Sequence, residues 1–148
     1  MKIKLYEKTF SSQLDLVKPL LREIMNYLSR SFPSLSPEDF FDCKLIYNEL
    51  LVNAVIHGNE NDKNKHVSVV IEILNKDSFS SIITDEGNGV DYESLINEIS
   101  SSDRLFLERG RGIQLVKSLT NELYYDSSRN QIYFLKRMNQ IGYNTSCR

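Results

Sequence analysis

The sequence predicts an α+β protein, a two-layer α/β sandwich with a mixed, mostly antiparallel sheet. Segments with helical periodicity alternate with paired strand-like segments in the order βα-α-ββ-α-α-ββ. The later strand-like segments are joined in pairs by short polar turns, as in hairpins. The length of 148 residues suits one domain. We expect that domain to cover residues 1–137, followed by a polar C-terminal tail at 138–148.

The first predicted elements are a strand and a helix. Residues 2–6 alternate between apolar and polar side chains, as a strand does. Residues 13–30 carry apolar side chains at helical spacing. Pro19 conflicts with a helix interior, where proline costs about 3 kcal/mol. Either the regular helix starts near Lys18, or the helix bends at this proline.

The second helix has the clearest start signal in the chain. Ser36 is a typical N-cap, Pro37 suits a first helical turn, and Glu38 adds an early acidic residue. A broad apolar face predicts a well-buried helix over 37–57. The remaining predicted elements are, in chain order, strands at 67–74 and 79–84, helices at 91–99 and 112–119, and strands at 123–125 and 132–135.

Charge and composition exclude several classes of protein. The formal net charge is −2, without the basic excess of nucleic-acid-binding domains. Apolar runs stay far below the roughly 18 residues of a membrane span, and the first residues lack the apolar stretch of a secretory signal. Cys43 and Cys147 have neither disulfide-framework nor metal-site spacing. We therefore expect a cytoplasmic protein with reduced thiols and no direct contact with nucleic acid or membrane.

Three polar side chains share one face of the second predicted helix. Glu49 and Asn53 are four residues apart, so they lie one above the other, and His57 continues the row. One interpretation is a solvated stripe on an amphipathic helix. The other is a pocket wall, in which Glu49 is a general base and Asn53 is an oxygen ligand for a hard cation such as Mg²⁺.

Two glycine-containing segments offer further candidates. The segment Asp85-Glu86-Gly87-Asn88-Gly89 follows a predicted strand. It is either an ordinary turn, or a site where a carboxylate accepts a hydrogen bond from an exocyclic amine while glycines let the backbone approach a flat ring. The segment Arg109-Gly110-Arg111-Gly112-Ile113 precedes a predicted helix. It is either a glycine-rich connector or an anion cradle of helix N–H groups and arginines.

The order of these motifs resembles the Bergerat-type ATP-binding fold of gyrase, heat-shock chaperone, mismatch-repair and histidine-kinase ATPases. Residues 48–58 (NELLVNAVIHG) look like the N box of that superfamily, residues 85–89 like its first glycine box, and residues 110–113 like its second. Within the superfamily the chain looks most like the small anti-sigma factor serine/threonine kinases. The resemblance spans nearly the whole chain, and the lid at about 91–109 is short.

The resemblance implies a role for each motif. Asp85 would hold the adenine amine, Asn53 would ligate Mg²⁺, and Glu49 would be the catalytic general base for a serine or threonine hydroxyl. Arg109 or Arg111 would steady the transferred charge. The residues expected to bind the ATP cofactor are Asn53, His57, Asp85, Gly87, Gly89, Arg109, Gly110, Arg111, Gly112 and Ile113.

The resemblance also implies partners. We expect an ATP-dependent serine/threonine protein kinase that inhibits a sigma factor and phosphorylates a STAS-type anti-sigma-antagonist protein. The alternative is a non-catalytic, nucleotide-gated binding module that sequesters a protein partner. A third hypothesis is that the domain is an interaction scaffold and that its glycines only form turns. The apolar lid residues 105–107 would pack in the core or on the nucleotide, or alternatively bind a partner, and a homodimer is left open.

Overall fold

One layer of the protein is a five-stranded antiparallel sheet. The computed structural model describes residues 4–88 and 111–139. The strands pair in the order β1-β2-β3-β5-β4, and all four pairings are antiparallel. The predicted antiparallel hairpins at β2–β3 and β4–β5 are confirmed. The strands are β1 (Lys4–Ser11), β2 (His66–Asn75), β3 (Ser78–Thr84), β4 (Glu122–Asp126) and β5 (Gln131–Arg137).

The first strand is longer than its sequence pattern predicts. Residues 2–6 were expected to form it, whereas β1 runs to Ser11. Each residue from Lys4 to Ser11 pairs with a residue of β2, from Ile73 back to His66. Pairing with a long neighbouring strand therefore sets the end of β1, and the local alternation of side chains does not.

Among the described residues, the second layer contains three helices, α1 (Val17–Ser31), α2 (Pro37–Asn53) and α3 (Arg111–Leu119). A 3₁₀ turn at Leu14–Leu16 precedes α1, so Pro19 falls in the first helical turn, where its missing N–H has no intrahelical partner to lose. The regular helix thus starts near Lys18, as the first alternative for this proline predicts. The predicted cap of α2 is confirmed, because Asp39 N–H donates to Ser36 Oγ at 3.0 Å.

The second helix changes its winding earlier than predicted. An α-helix was expected through residue 57, but α2 ends at Asn53 and a π-helical turn occupies Ala54–Gly58. In this turn the Asn59 N–H donates to Ala54 O at 2.9 Å, five residues back instead of four. The wider turn moves the chain after Asn53 away from the helical path, toward the end of β3.

The hydrophobic core lies between the two layers. Tyr47 of α2 packs on Phe79 of β3 and Phe134 of β5, with ring centroids 6.4 and 5.3 Å apart, and all three side chains are buried. Cys43 is fully buried beside them, and burial raises the pKa of its thiol to about 12. Cys43 is therefore a core side chain with an unreactive thiol.

A groove of about 640 Å³ runs between α1 and α2. Its lining includes the exposed Phe41 and three cationic side chains, Lys18, Arg22 and Lys44, and the described part of the chain contributes no acidic side chain to it. No helix within the described residues is both long enough and apolar enough to cross a membrane. The predicted helix at 91–99, the lid residues 105–107 and Cys147 lie outside the described residues.

The end of β5 is tied back to the helical layer. Met138 is buried, and Asn139 donates from its backbone N–H to Asp39 Oδ2 at 2.8 Å and from its side chain to Asp39 Oδ1 at 3.2 Å. Asp39 is itself fully buried in the first turn of α2. Residues 138 and 139 therefore belong to the packed structure, although they fall in the segment expected to be a tail.

Candidate active site

Asp85 lies directly after β3, as predicted, and it is almost fully buried. The residue is only 6% exposed, and its Oδ1 accepts a hydrogen bond from the Gly87 N–H at 2.9 Å. Burial raises the pKa of Asp85 above its ordinary 3.8, and the Gly87 N–H and the nearby Lys65 ammonium offset only part of this effect. A buried carboxyl group with one oxygen fixed by the backbone is well suited to accept a hydrogen bond from a ligand.

Two glycines allow the strand end and the π turn to meet. A β-carbon added at Gly58 would collide with Asp85 Oδ2, and one added at Gly87 would collide with the carbonyl oxygen of Gly58. At Gly87 backbone is in contact with backbone, and at Gly58 backbone is in contact with the Asp85 carboxyl group, so neither position has room for a side chain. The N-box segment and the first glycine box are therefore assembled into one compact unit around Asp85.

Asn59 connects the segments of this unit by hydrogen bonds, and the sequence patterns did not indicate it as a site residue. It is fully buried; its Nδ2 donates to His66 O at 3.0 Å, and its Oδ1 accepts the Glu86 N–H at 2.8 Å. Glu86 in turn accepts the His66 N–H at 2.7 Å. An asparagine directly after the N box was the available signal, but its partners are His66 at the start of β2 and Glu86 just after β3, which only the fold brings together.

Asn130 makes hydrogen bonds to the same unit from the β4–β5 turn, and the sequence patterns did not indicate it either. Its carbonyl accepts the Asp85 N–H at 3.1 Å, and its Nδ2 donates to Gly87 O at 2.7 Å. Asn130 has a φ of 53°, the left-handed conformation that asparagine tolerates in turns. The hairpin turn at 126–130 was predicted, but its contact with residues 85–87 was not.

A second contact joins α2 to α3. A β-carbon added at Gly112 would collide with Glu49 Oε1 and would lie 3.1 Å from Glu49 Cδ. Because Gly112 is the second residue of α3, the Glu49 carboxylate lies beside the first turn of that helix, where backbone N–H groups lack intrahelical partners. The first turn of α3 is also the end of the helix dipole that favours negative charge. Glu49 and Gly112, predicted from separate motifs, are thus in contact.

The other predicted residues are distributed as follows. Asn53 is the last residue of α2 and is partly buried, one turn after Glu49 and just before the π turn. His57 lies within the π turn, so it does not continue the α-helical row. The Ile113 side chain is buried in the core, which leaves only its backbone N–H for a ligand. Arg111 is the first residue of α3, and Gly89, Arg109 and Gly110 lie outside the described residues.

The donor set of the described residues fits a magnesium ion that arrives with a nucleotide. Within residues 4–88 and 111–139, no group of three or more His, Cys, Asp or Glu side chains could hold a metal ion. Mg²⁺ usually keeps several waters and takes one or two protein oxygens together with substrate phosphates. The Asn53 amide oxygen is a suitable ligand of that kind, and the first turn of α3 is suited to phosphate.

Comparison with known proteins agrees with this geometry. A family model described as the histidine kinase-like ATPase domain matches residues 10–136. The chain belongs to this family, as the order of its motifs predicts.

The chain is also similar to proteins named Serine-protein kinase RsbW from Staphylococcus aureus strains JH9, Newman and JH1. It is 32% identical to each over 92 residues, which cover 58% of this chain and 57% of the relative. The match therefore spans little more than half the length of these curated relatives. It agrees with the resemblance to small serine/threonine kinases that the motifs indicate.

Proposed function

We propose that this chain is an ATP-dependent serine/threonine protein kinase and anti-sigma factor, which phosphorylates a STAS-type antagonist protein in a partner-switching circuit. The observation that carries the proposal is the contact between the Glu49 carboxylate and Gly112 in the first turn of α3. Glu49, the proposed general base, is thus a neighbour of the proposed phosphate site, and this supports a reaction that transfers phosphate to a hydroxyl. Similarity to serine-protein kinases supports the same reaction class.

Each end of the nucleotide has a candidate partner. The Asp85 carboxylate accepts a hydrogen bond from the adenine amino group, beside the backbone of Gly87. Backbone N–H groups in the first turn of α3 bind phosphate oxygens, and the Asn53 amide oxygen ligates Mg²⁺. When bound, Mg²⁺ neutralises charge on the phosphates. Arg109 or Arg111 steadies the transferred group.

Glu49 then acts on the protein substrate. Its carboxylate takes the proton of a serine or threonine hydroxyl as the hydroxyl oxygen forms a bond to the γ-phosphorus. The bond between that phosphorus and the bridging oxygen breaks, and ADP leaves. Such base catalysis contributes roughly 10²- to 10⁴-fold to a rate, in addition to the effect of positioning. The net charge of −2 is compatible with a cytoplasmic protein whose partners are proteins and a nucleotide.

Phosphate transfer from radiolabelled ATP to STAS-type proteins of the same genome tests the proposal. We expect Glu49→Gln to reduce transfer at least about a hundredfold, because the base is lost. Its affinity for ATP, measured by calorimetry, should stay within about threefold of the wild-type value. Glu38→Gln is the matched control, since Glu38 is an exposed glutamate on the same helix.

The outcomes separate the proposed kinase from its alternative. Equal transfer by Glu49→Gln and wild type would show that Glu49 is not the base. Tight ATP binding without transfer to any STAS-type protein would favour the nucleotide-gated binding module. If Asn53→Ala binds Mg²⁺-ATP as tightly as wild type, the assigned cation ligand is wrong.

A further inference from the structure

Three hydrogen bonds connect Asp85, Gly87 and Asn130 in a closed ring. The Asp85 N–H donates to Asn130 O, Asn130 Nδ2 donates to Gly87 O, and the Gly87 N–H donates to Asp85 Oδ1. The distances are 3.1, 2.7 and 2.9 Å. The ring joins the end of β3 to the β4–β5 hairpin, 43 residues further along the chain.

The ring fixes the direction of the Asp85 carboxyl group. Gly87 is held on both sides, through its N–H by Asp85 and through its carbonyl by Asn130. If Asn130 released the carbonyl, the Gly87 peptide could rotate, and Asp85 Oδ1 would lose the donor that orients it. The opposite oxygen, Oδ2, is in contact with Gly58. The carboxyl plane is therefore set by groups from two separate segments.

The Asn130 amide itself has a defined orientation. Its Oδ1 lies 3.4 Å from the Tyr125 hydroxyl, which donates to it, so Nδ2 is directed at Gly87 O. The left-handed φ of 53° brings both the carbonyl and the side chain of this one residue toward residues 85–87. Few residue types combine tolerance of this conformation with a side-chain N–H donor, and asparagine is one of them.

We propose that Asn130 is a positioning residue for base recognition, which aims the Asp85 carboxyl group at the amino group of adenine and so makes the site selective for ATP. The inference rests on the proposed function, because it assumes that Asp85 reads the nucleotide base. Asn130 has no assigned contact with the nucleotide, and it acts through Asp85 and Gly87. Its removal should therefore affect selectivity for the amino group more than the packing of the domain.

The test compares two nucleotides and two variants. Purine riboside triphosphate lacks the amino group, so the ratio of its Kd to the Kd of ATP measures recognition of that group. Asn130→Gly keeps the backbone conformation, since glycine adopts positive φ freely, and Asn130→Asp keeps the shape without the N–H donor. Calorimetric titration with each Mg²⁺-nucleotide gives both constants, and circular dichroism establishes that each variant is folded.

We expect both variants to bind ATP about tenfold more weakly, which corresponds to about 1.4 kcal/mol. The Kd of purine riboside triphosphate should change about twofold or less, so the selectivity ratio falls several-fold. Asn75→Gly is the matched control and should leave both constants unchanged. Asn75 also uses its side chain inside a hairpin turn, accepting the Asp77 N–H at 3.0 Å, but it lies at the opposite end of β3 from Asp85.

Other outcomes would overturn the inference in distinguishable ways. If both variants weaken the binding of the two nucleotides equally, so that the ratio of the two Kd values stays at the wild-type level, Asn130 has a structural role only and the proposed function stands. If wild type itself binds neither nucleotide, or does not distinguish them, then the assignment of Asp85 as the base-reading residue fails, and the role of Asn130 fails with it.

Discussion

At the scale of single residues, Asp85 combines a proposed role in base recognition with an environment that is unfavourable to its charge. Its carboxyl group is buried, which disfavours the ionised form, and its pKa is raised. The uncharged amide of asparagine avoids this desolvation and can still accept the Gly87 N–H. We expect Asp85→Asn to raise the thermal unfolding midpoint of the nucleotide-free protein at pH 7. The same change should weaken ATP binding about ten- to a hundredfold, because a hydrogen bond to a charged group is lost.

The pH dependence gives this prediction a definite sign. Because the folded-state pKa of Asp85 lies above 3.8, the folded protein binds more protons than the unfolded chain just above pH 3.8. The contribution of Asp85 to stability therefore falls as pH rises through that window and is constant above it. The advantage of Asp85→Asn should be complete at neutral pH and should fade as pH approaches 3.8. An advantage that grew on acidification would contradict the assigned cause.

At the scale of helices and turns, the absence of a side chain at Gly112 allows α3 to lie close to the Glu49 carboxylate. Alanine is favoured over glycine inside a helix by about 1 kcal/mol, but a methyl group here would collide with Glu49 Oε1. We expect Gly112→Ala to displace the carboxylate and to reduce phosphate transfer at least about tenfold, without a gain in the free energy of unfolding. Transfer rates and chemical denaturation measure the two effects.

A control on the same helix separates the two effects. Ser118 is exposed, and its hydroxyl donates a hydrogen bond to Leu115 O, three positions back within α3. Ser118→Ala should leave transfer unchanged. If Gly112→Ala transferred phosphate at the wild-type rate, the closeness of Glu49 to α3 would be irrelevant to the reaction.

Elements with local signals were predictable from sequence, and elements set by distant contacts were not. Ser36 and Pro37 start α2 through interactions within one turn, so the helix start was read correctly. The π turn depends on the buried Asn59, whose partners His66 and Glu86 belong to other segments. Nothing within residues 54–58 alone distinguishes that turn from a continued α-helix.

The site was predictable to a similar degree. The positions of Asp85 at a strand end and of Gly112 at a helix start follow from local patterns, and both are confirmed as positions. Their roles toward ATP remain predictions. The contact of Asn130 could not be predicted from sequence, because its hydrogen bond to Gly87 spans 43 residues and its only local signal is an asparagine in a turn.

At the scale of the whole molecule, the groove between α1 and α2 is a surface suited to a protein partner. Within residues 4–88 and 111–139, its largely apolar lining carries Lys18, Arg22 and Lys44 and no acidic side chain, so an acidic partner surface is complementary to this part of it. If the proposed STAS-type substrate docks there, Lys18→Glu combined with Arg22→Glu should raise its KM about tenfold or more. The affinity for ATP should not change.

The same assay provides the control for docking. Lys76→Glu makes the same type of charge change at an exposed position in the β2–β3 turn, away from the groove. It should leave KM within about twofold of the wild-type value. If the Lys18 and Arg22 charge reversals also left KM unchanged, the substrate would dock on another surface.

The ring of Asp85, Gly87 and Asn130 also has a consequence for synthesis of the chain. The ribosome makes the N-box helix and the strand before Asp85 first, yet the residue that closes the ring follows Gly87 by 43 positions. At about 5–20 residues per second, this delay is roughly 2–9 s. During that interval the nascent chain has Asp85 but lacks the hairpin that orients it. Nucleotide binding with full affinity would therefore begin only once β5 has left the exit tunnel and paired with β3.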